Sequence, residues 1–428
     1  MIENHNKVNL NRKAPDYFEN SFFQRTQLPN GALLVTENIP HVRSVSIGVW
    51  VKTGSRYETS NENGISHFVE HMLFKGTAKR SAFEIAHSIE KVGGVLNAFT
   101  GKELTCYYAH VLDEHLSLAI DLLTDILTDS KFLHEDFQKE QQVILEEIHD
   151  ANEMPEDKIQ DYFYEDLFGS HPLAQPVLGT VESLQALQNE NIRKHYLKNY
   201  CADRIMVAAA GSVNHEEICA LLERNLANWD NTCTIETKQQ KFQQQKLKKY
   251  RYEKSLLSHI CVGSHALAFA DERKYAALIL NTLLGGGMSS RLFQTVREKH
   301  GLCYNILSYL EFYQDTGVFC IYTGTDRANV NLALELIQSE VDDLLQGGLT
   351  NDELNCTQSQ LKGSLMLGLE DTSSRMTRIA KMEIYLRNYY SLDEVLEGIG
   401  NVKMQDVQEV AQLILNPNEF VTSILCTK

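Results

Sequence analysis

The sequence predicts an α+β fold of two homologous α/β-sandwich domains, each a mostly antiparallel sheet covered by helices. Three observations predict it. The 428 residues exceed what one hydrophobic core usually supports, so two domains of about two hundred residues each are expected. Blocks with strand periodicity alternate with long amphipathic helical segments. The same order of elements then recurs after about 210 to 220 residues, the mark of an internal duplication.

In the first half, strands are predicted at Ala32 to Glu37 and at Val45 to Thr53, where Val45, Ile47, Val49 and Val51 alternate with Ser46, Gly48 and Trp50. A helix follows near Gly64, and another runs from about Ala82 to Val92 until Gly93 and Gly94 break it. Val95 to Phe99 and Thr105 to Leu112 form a hairpin. Helices are expected at Glu114 to Thr128, Glu135 to Ala151, Asp157 to Phe168 and Val181 to Tyr196. Ile205 to Ala210 makes a buried strand, and a closing helix starts at Glu216.

From Asn228 to Lys254 the composition shifts to Lys, Gln and Thr, the signature of a linker, part of which could pair as an edge strand. The expected boundaries are a flexible leader at 1–20, a first domain at 21–228, a linker at 229–250 and a second domain at 251–428. In the second half, His259 to Gly263 echoes Val45 to Val49. A helix follows at Arg273 to Leu284, then strands at Cys303 to Phe312 and Thr316 to Thr323. Long helices at Ala328 to Leu345 and Asp352 to Leu367 close the reading.

Composition removes several function classes. A hydrophobic share of 43% and a charged share of 23% are ordinary for a globular protein. No apolar run approaches the roughly 20 residues that span a bilayer, so no membrane partner is expected. Met1 to Ser21 lacks the apolar core of a secretory signal and carries Glu3, Asp16 and Glu19, so it reads as a leader on a cytoplasmic protein. Nine cysteines without a Cys-x-x-Cys pair read as reduced, mostly buried thiols. A formal charge of −17 argues against nucleic acid as a partner.

The chemistry is carried by His67-Phe-Val-Glu70-His71. Residues three and four apart share a helical face. His67 and His71 can therefore grip one metal ion, with Glu70 beside its bound water, the inverted order of a zinc hydrolase motif. Two ligands are too few for a catalytic zinc. Downstream, Phe137, Val143, Ile144 and Ile148 mark an amphipathic helix bearing Glu140, Glu146 and Glu147. Glu140 and Glu147 are two turns apart and share a face, whereas Glu146 points about a hundred degrees from Glu147. One carboxylate here can complete the shell while another orients a ligand. His87, His110, His115, His134 and His149 show no ligand spacing among themselves.

These residues resemble the pitrilysin-type inverzincin metallopeptidases, and within them the bacterial relatives of the mitochondrial processing peptidase β-subunit. The resemblance extends through Met72-Leu-Phe-Lys-Gly-Thr77 and Gly93-Gly-Val-Leu-Asn-Ala-Phe-Thr100. It implies that His67, His71 and Glu147 bind one Zn2+ per chain, that Glu70 is the general base for the zinc-bound water, and that Glu140 is a supporting acid. Glu146 stays a competing third ligand. Ser290 to Tyr304 resembles the family's second signature, which assigns Arg297 to a substrate carbonyl and Tyr304 to the tetrahedral intermediate. Gly285-Gly-Gly287 reads as a helix C-terminal turn.

The second half lacks His-x-x-Glu-His, so it is expected to be an inactive homologous domain carrying Arg297 and Tyr304. Related enzymes build a clamshell of four such domains. This chain is therefore expected to form a homodimer in which that pair completes the partner's site. Asn97, Ala98 and Phe99 on an edge strand, with Phe74 near the metal helix, are the candidate substrate-binding residues, pairing an extended peptide by strand addition. The expected activity is zinc-dependent endopeptidase action on unfolded or presequence-like peptides in an enclosed chamber. The alternatives are a non-catalytic scaffold subunit or the catalytic subunit of a heterodimeric processing peptidase.

Overall fold

The computed structural model describes residues 22–227, 229 and 246–428. The expected leader lies outside them, as does most of the expected linker. Six strands form the first sheet: β1 (Phe22–Gln27), β2 (Leu33–Asn38), β3 (Ser44–Val51), β4 (Val95–Thr100), β5 (Thr105–Leu112) and β6 (Ile205–Gly211), in the order β1-β2-β6-β3-β5-β4. Only β2 and β6 run parallel. The second sheet orders β7 (Leu247–Glu253), β8 (Ser258–Ala266), β9 (Cys303–Phe312), β10 (Gly317–Thr325) and β11 (Val421–Thr427) as β7-β11-β8-β10-β9, with β7 and β11 its one parallel pair. The α+β class with two mostly antiparallel sheets is as expected.

The helices of the first half are α1 (Ile65–Leu73), α2 (Ala82–Glu90), α3 (Leu116–Thr128), α4 (His134–Glu153), α5 (Pro155–Phe168), α6 (Val181–Ala186), α7 (Asn189–Asn199) and α8 (His215–Asn225). Those of the second are α9 (Lys274–Gly285), α10 (Val330–Leu345), α11 (Asn351–Gly368), α12 (Thr372–Leu386), α13 (Leu392–Asn401) and α14 (Met404–Ile414). Three readings change. The single helix expected from Val181 is two, because Leu187 and Gln188 are extended and Gln188 caps α7. The linker shortens, because the edge strand that part of it could form is β7, which begins at Leu247 and is held by seven parallel pairings with β11. Cys201 is disulfide-bonded, whereas the other described cysteines are free.

Each half lends a helix to the other. Helix α12 lies on β2, β3 and β6, where Met376, Ile379 and Ala380 pack on Val35, Trp50, Cys106 and Ala208. Helix α5 lies on β8 and β11, with Phe163 and Leu167 against Cys261 and Val421. Strand β3 is consequently buried on both faces. Buried charge follows the same exchange: Arg375 of α12 donates to Glu37 of β2 at 2.8 Å. None of the described helices is long and apolar enough to cross a membrane.

Helix α1 starts at Gly64, whose φ of +92° belongs to the left-handed region. A β-carbon there would stand 2.6 Å from the Leu178 carbonyl oxygen, so both the conformation and the space require glycine. We expect Gly64→Ala to lose about 2 kcal/mol of stability, read as a lowered urea midpoint.

Candidate metal centre

Two helices build the centre. Helix α1 turns its apolar residues Ile65, Phe68, Val69, Met72 and Leu73 into the core, which leaves His67, Glu70 and His71 toward one side. Its start is fixed by Glu58, a buried carboxylate that accepts from Gly64 N and Ser66 N at 2.8 Å and from Asn63 Nδ2 at 2.9 Å. Three donors at a helix N-terminus offset the cost of burying that charge. Helix α4 crosses α1 with Phe137 stacked on Phe68, ring centroids 4.9 Å apart. That contact aims the face carrying Glu140 and Glu147 at the imidazoles.

Nε2 of His67 and Nε2 of His71 each lie 3.8 Å from Oε2 of Glu147, and the three ligand atoms sit within 4.8 Å of one another. Those separations exceed hydrogen-bond length. The two 3.8 Å separations stand slightly above the roughly 3.4 Å between donors sharing one tetrahedral zinc, and a small inward movement of the half-exposed Glu147 would bring its carboxylate to that distance from the imidazoles. The donor set of two imidazoles and a carboxylate suits zinc. Glu146 is exposed and makes no comparable approach.

A supporting carboxylate stands behind His71. Its Nδ1 bonds Glu140 Oε2 at 3.1 Å, and Lys75 Nζ meets Glu140 Oε1 at 2.7 Å. The carboxylate fixes the tautomer that leaves Nε2 free for a metal. Nδ1 of His67, by contrast, is buried without a partner. Burial first, and then the neighbouring His71, bring the His67 pKa down to about 3. That imidazole therefore stays neutral and available as a ligand.

Glu70 borders the same space, close enough for His71 and Glu147 to act on its carboxyl. Burial pushes its carboxyl above the usual range; the hydrogen bond from Thr100 opposes that rise. Thr100 Oγ1 donates to Glu70 Oε2 at 2.5 Å, leaving Oε1 for a proton. Sequence reasoning assigned no role to Thr100, Lys75 or Glu58. Lys75 lies one turn beyond His71, and Thr100 closes the quoted Asn-Ala-Phe-Thr stretch, so both had a local signal. Glu58 had none, because it caps α1 from a loop.

The remaining candidates divide. Asn97, Ala98 and Phe99 lie on β4, which is an edge strand of its sheet. Phe74 caps the end of α1, its ring centroid 6.1 Å from that of Tyr107. Arg297 and Tyr304 are not joined to the trio by any hydrogen bond or ion pair among the described residues. Arg297 sits in a π-helical turn, Phe293–Lys299, and stacks over Phe293 and Tyr304 at 4.4 and 5.3 Å. Tyr304 is 85% exposed, so it is not the packed strand residue that a purely structural role would make it.

Comparison with known proteins bears on this geometry. Residues 33–181 match the family described as insulinase (peptidase family M16), and residues 186–361 match the peptidase M16 inactive domain. An uncharacterized zinc protease of Streptomyces coelicolor is 43% identical over 92% of this chain and 87% of its own. One of Bacillus subtilis is 40% identical over 91% and 95%. Among solved structures, a protease from Helicobacter pylori superposes with a TM-score of 0.90 at 22% identity, covering 95% of this chain and 99% of that one.

Two variants test the arrangement. Glu140→Gln should weaken zinc binding by about 10- to 100-fold, measured by competition with a chelator. Thr100→Val should keep its zinc and lower kcat by about tenfold, with Thr100→Ser restoring it.

Proposed function

Because the chain belongs to the insulinase family, M16, of peptidases, we propose that it is a zinc-dependent endopeptidase acting on unfolded peptides. One observation carries the reading: both imidazole Nε2 atoms and the Glu147 carboxylate converge on one point, with Glu140 bracing His71 from behind. His67, His71 and Glu147 would hold the ion. Bound there, zinc supplies Lewis acidity that acidifies water and polarises a peptide carbonyl.

Glu70 takes a proton on Oε1 from the water that attacks the carbonyl carbon. It returns that proton to the amide nitrogen as the C–N bond breaks. Thr100 holds the opposite oxygen and so fixes which one works. Asn97 to Phe99, on the free edge of β4, pair with the extended substrate backbone, and Phe74 takes a neighbouring side chain.

Arg297 and Tyr304 act in the same reading from a second copy of the chain, which encloses the peptide in a chamber. Tyr304 donates to the developing oxyanion and Arg297 to a substrate carbonyl. The exposure of Tyr304, and the lack of any hydrogen bond or ion pair from either residue to the trio in their own chain, support completion in trans. The reading includes a cytoplasmic homodimer. A distinct partner chain supplying the same pair is the rival form of this proposal.

Glu70→Gln should retain zinc and lose about a thousandfold or more in kcat, measured with a quenched peptide; equal activity would remove Glu70 from its role. Mixing inactive Glu70→Gln with inactive Tyr304→Phe should recover about a quarter of the sites, because half the dimers are mixed and each has one intact site. No recovery would place the pair in cis. Activity appearing only with a second, different chain would select the heterodimer.

A further inference from the structure

A cavity of about 350 Å³ opens between the two halves, at the lower end of the range for ligand sites. Phe99 at the end of β4 forms one wall. Phe269, Phe312 and Tyr385 of the second half form the other. Phe269 and Tyr385 stack with ring centroids 4.6 Å apart, and Phe99 meets Trp50 edge-on at 5.5 Å.

The polar groups lining it are almost all engaged with one another. Glu103 accepts from Arg56, from Gln314 N and from Tyr385 Oη. Glu311 accepts from Tyr164 and Tyr313. Lys102 donates to the Gln175 carbonyl. Two features stand apart. The indole N–H of Trp50 is fully buried without a partner, and Lys381 is exposed. The cavity therefore offers aromatic faces and an exposed ammonium, and no carboxylate free for a cation.

Its position relates it to the metal centre. Leu96 and Ala98 of β4 pack toward the α1 core, while Phe99 packs on Trp50 and Tyr108 on the sheet's opposite face, the one α12 covers. Thr100, the next residue, holds Glu70. A peptide paired with β4 sends alternate side chains to the two faces at about 3.3 Å per residue. One side chain within about three residues of the cut bond thus faces this cavity rather than the metal helix.

We propose that the cavity is a substrate subsite for an aromatic side chain, on the face of the sheet away from the metal. This rests on the endopeptidase reading above. A phenyl or phenol ring fills it and stacks on Phe99 and Phe269. Lys and Arg are disfavoured, because the two carboxylates already hold partners and two ammonium groups line the same space.

The test uses the zinc-loaded full-length protein and a quenched peptide series that moves a single Phe, Arg or Ala through four positions on each side of the cut. One position within three residues of the bond should favour Phe over both Ala and Arg by about tenfold or more in kcat/KM. Phe269→Ala should reduce that ratio below about threefold, and Phe269→Tyr should restore it. A peptide carrying benzoylphenylalanine at that position, irradiated on the Glu70→Gln protein, should attach within Phe99, Phe269 or Phe312. Peptides cut with no aromatic preference, with Arg preferred, or with the photoadduct elsewhere would overturn the subsite and leave the endopeptidase reading intact. Failure to cut any peptide would defeat that reading, and the subsite with it.

Discussion

Phe68 of α1 stacks on Phe137 of α4, and this apolar contact turns two separate motifs into one site. Both rings are buried, so the helices cannot slide without opening a void. With that crossing fixed, the helical period places the rest. His67 and His71 lie one turn apart on α1, and Glu140 and Glu147 two turns apart on α4. The imidazoles meet the carboxylates because the two stripes face each other.

Charge inside this contact is tolerated because it is chained. Glu140 is among the most buried carboxylates described, and it holds a lysine on one oxygen and an imidazole on the other. An unpaired carboxylate at that depth would be costly. Glu58 solves the same problem with three donors at the start of α1. The two ends of the metal helix are thus anchored by acids that are not themselves ligands. His67 has no such brace on Nδ1, so the two imidazoles are held unequally.

The exchange of α5 and α12 between the halves has a functional consequence. It closes the outer face of each sheet with a helix from the other half. It also brings the β4–β5 turn against the end of β9, where Gln314 N and Glu103 meet. The cavity beside Phe99 exists only because of this exchange, since neither half alone provides both walls.

The sequence by itself determined most of the elements and the candidate ligand set. Strands β5 and β9 run between the residues the pattern indicated, and the motif residues His67, Glu70 and His71 were readable because one helical turn brings them together locally. The shared face of Glu140 and Glu147 was legible for the same reason. Sequence spacing left open whether Glu146 or Glu147 turns to the imidazoles, because both lie on one helix and differ only in rotation. The α1–α4 crossing decided it. The break at Leu187, the capture of β7 by β11, the Glu58 cap and the helix exchange likewise depend on contacts between residues far apart in the chain. Periodicity reports which face of an element is apolar, whereas the partner that face meets is set by packing the whole molecule at once.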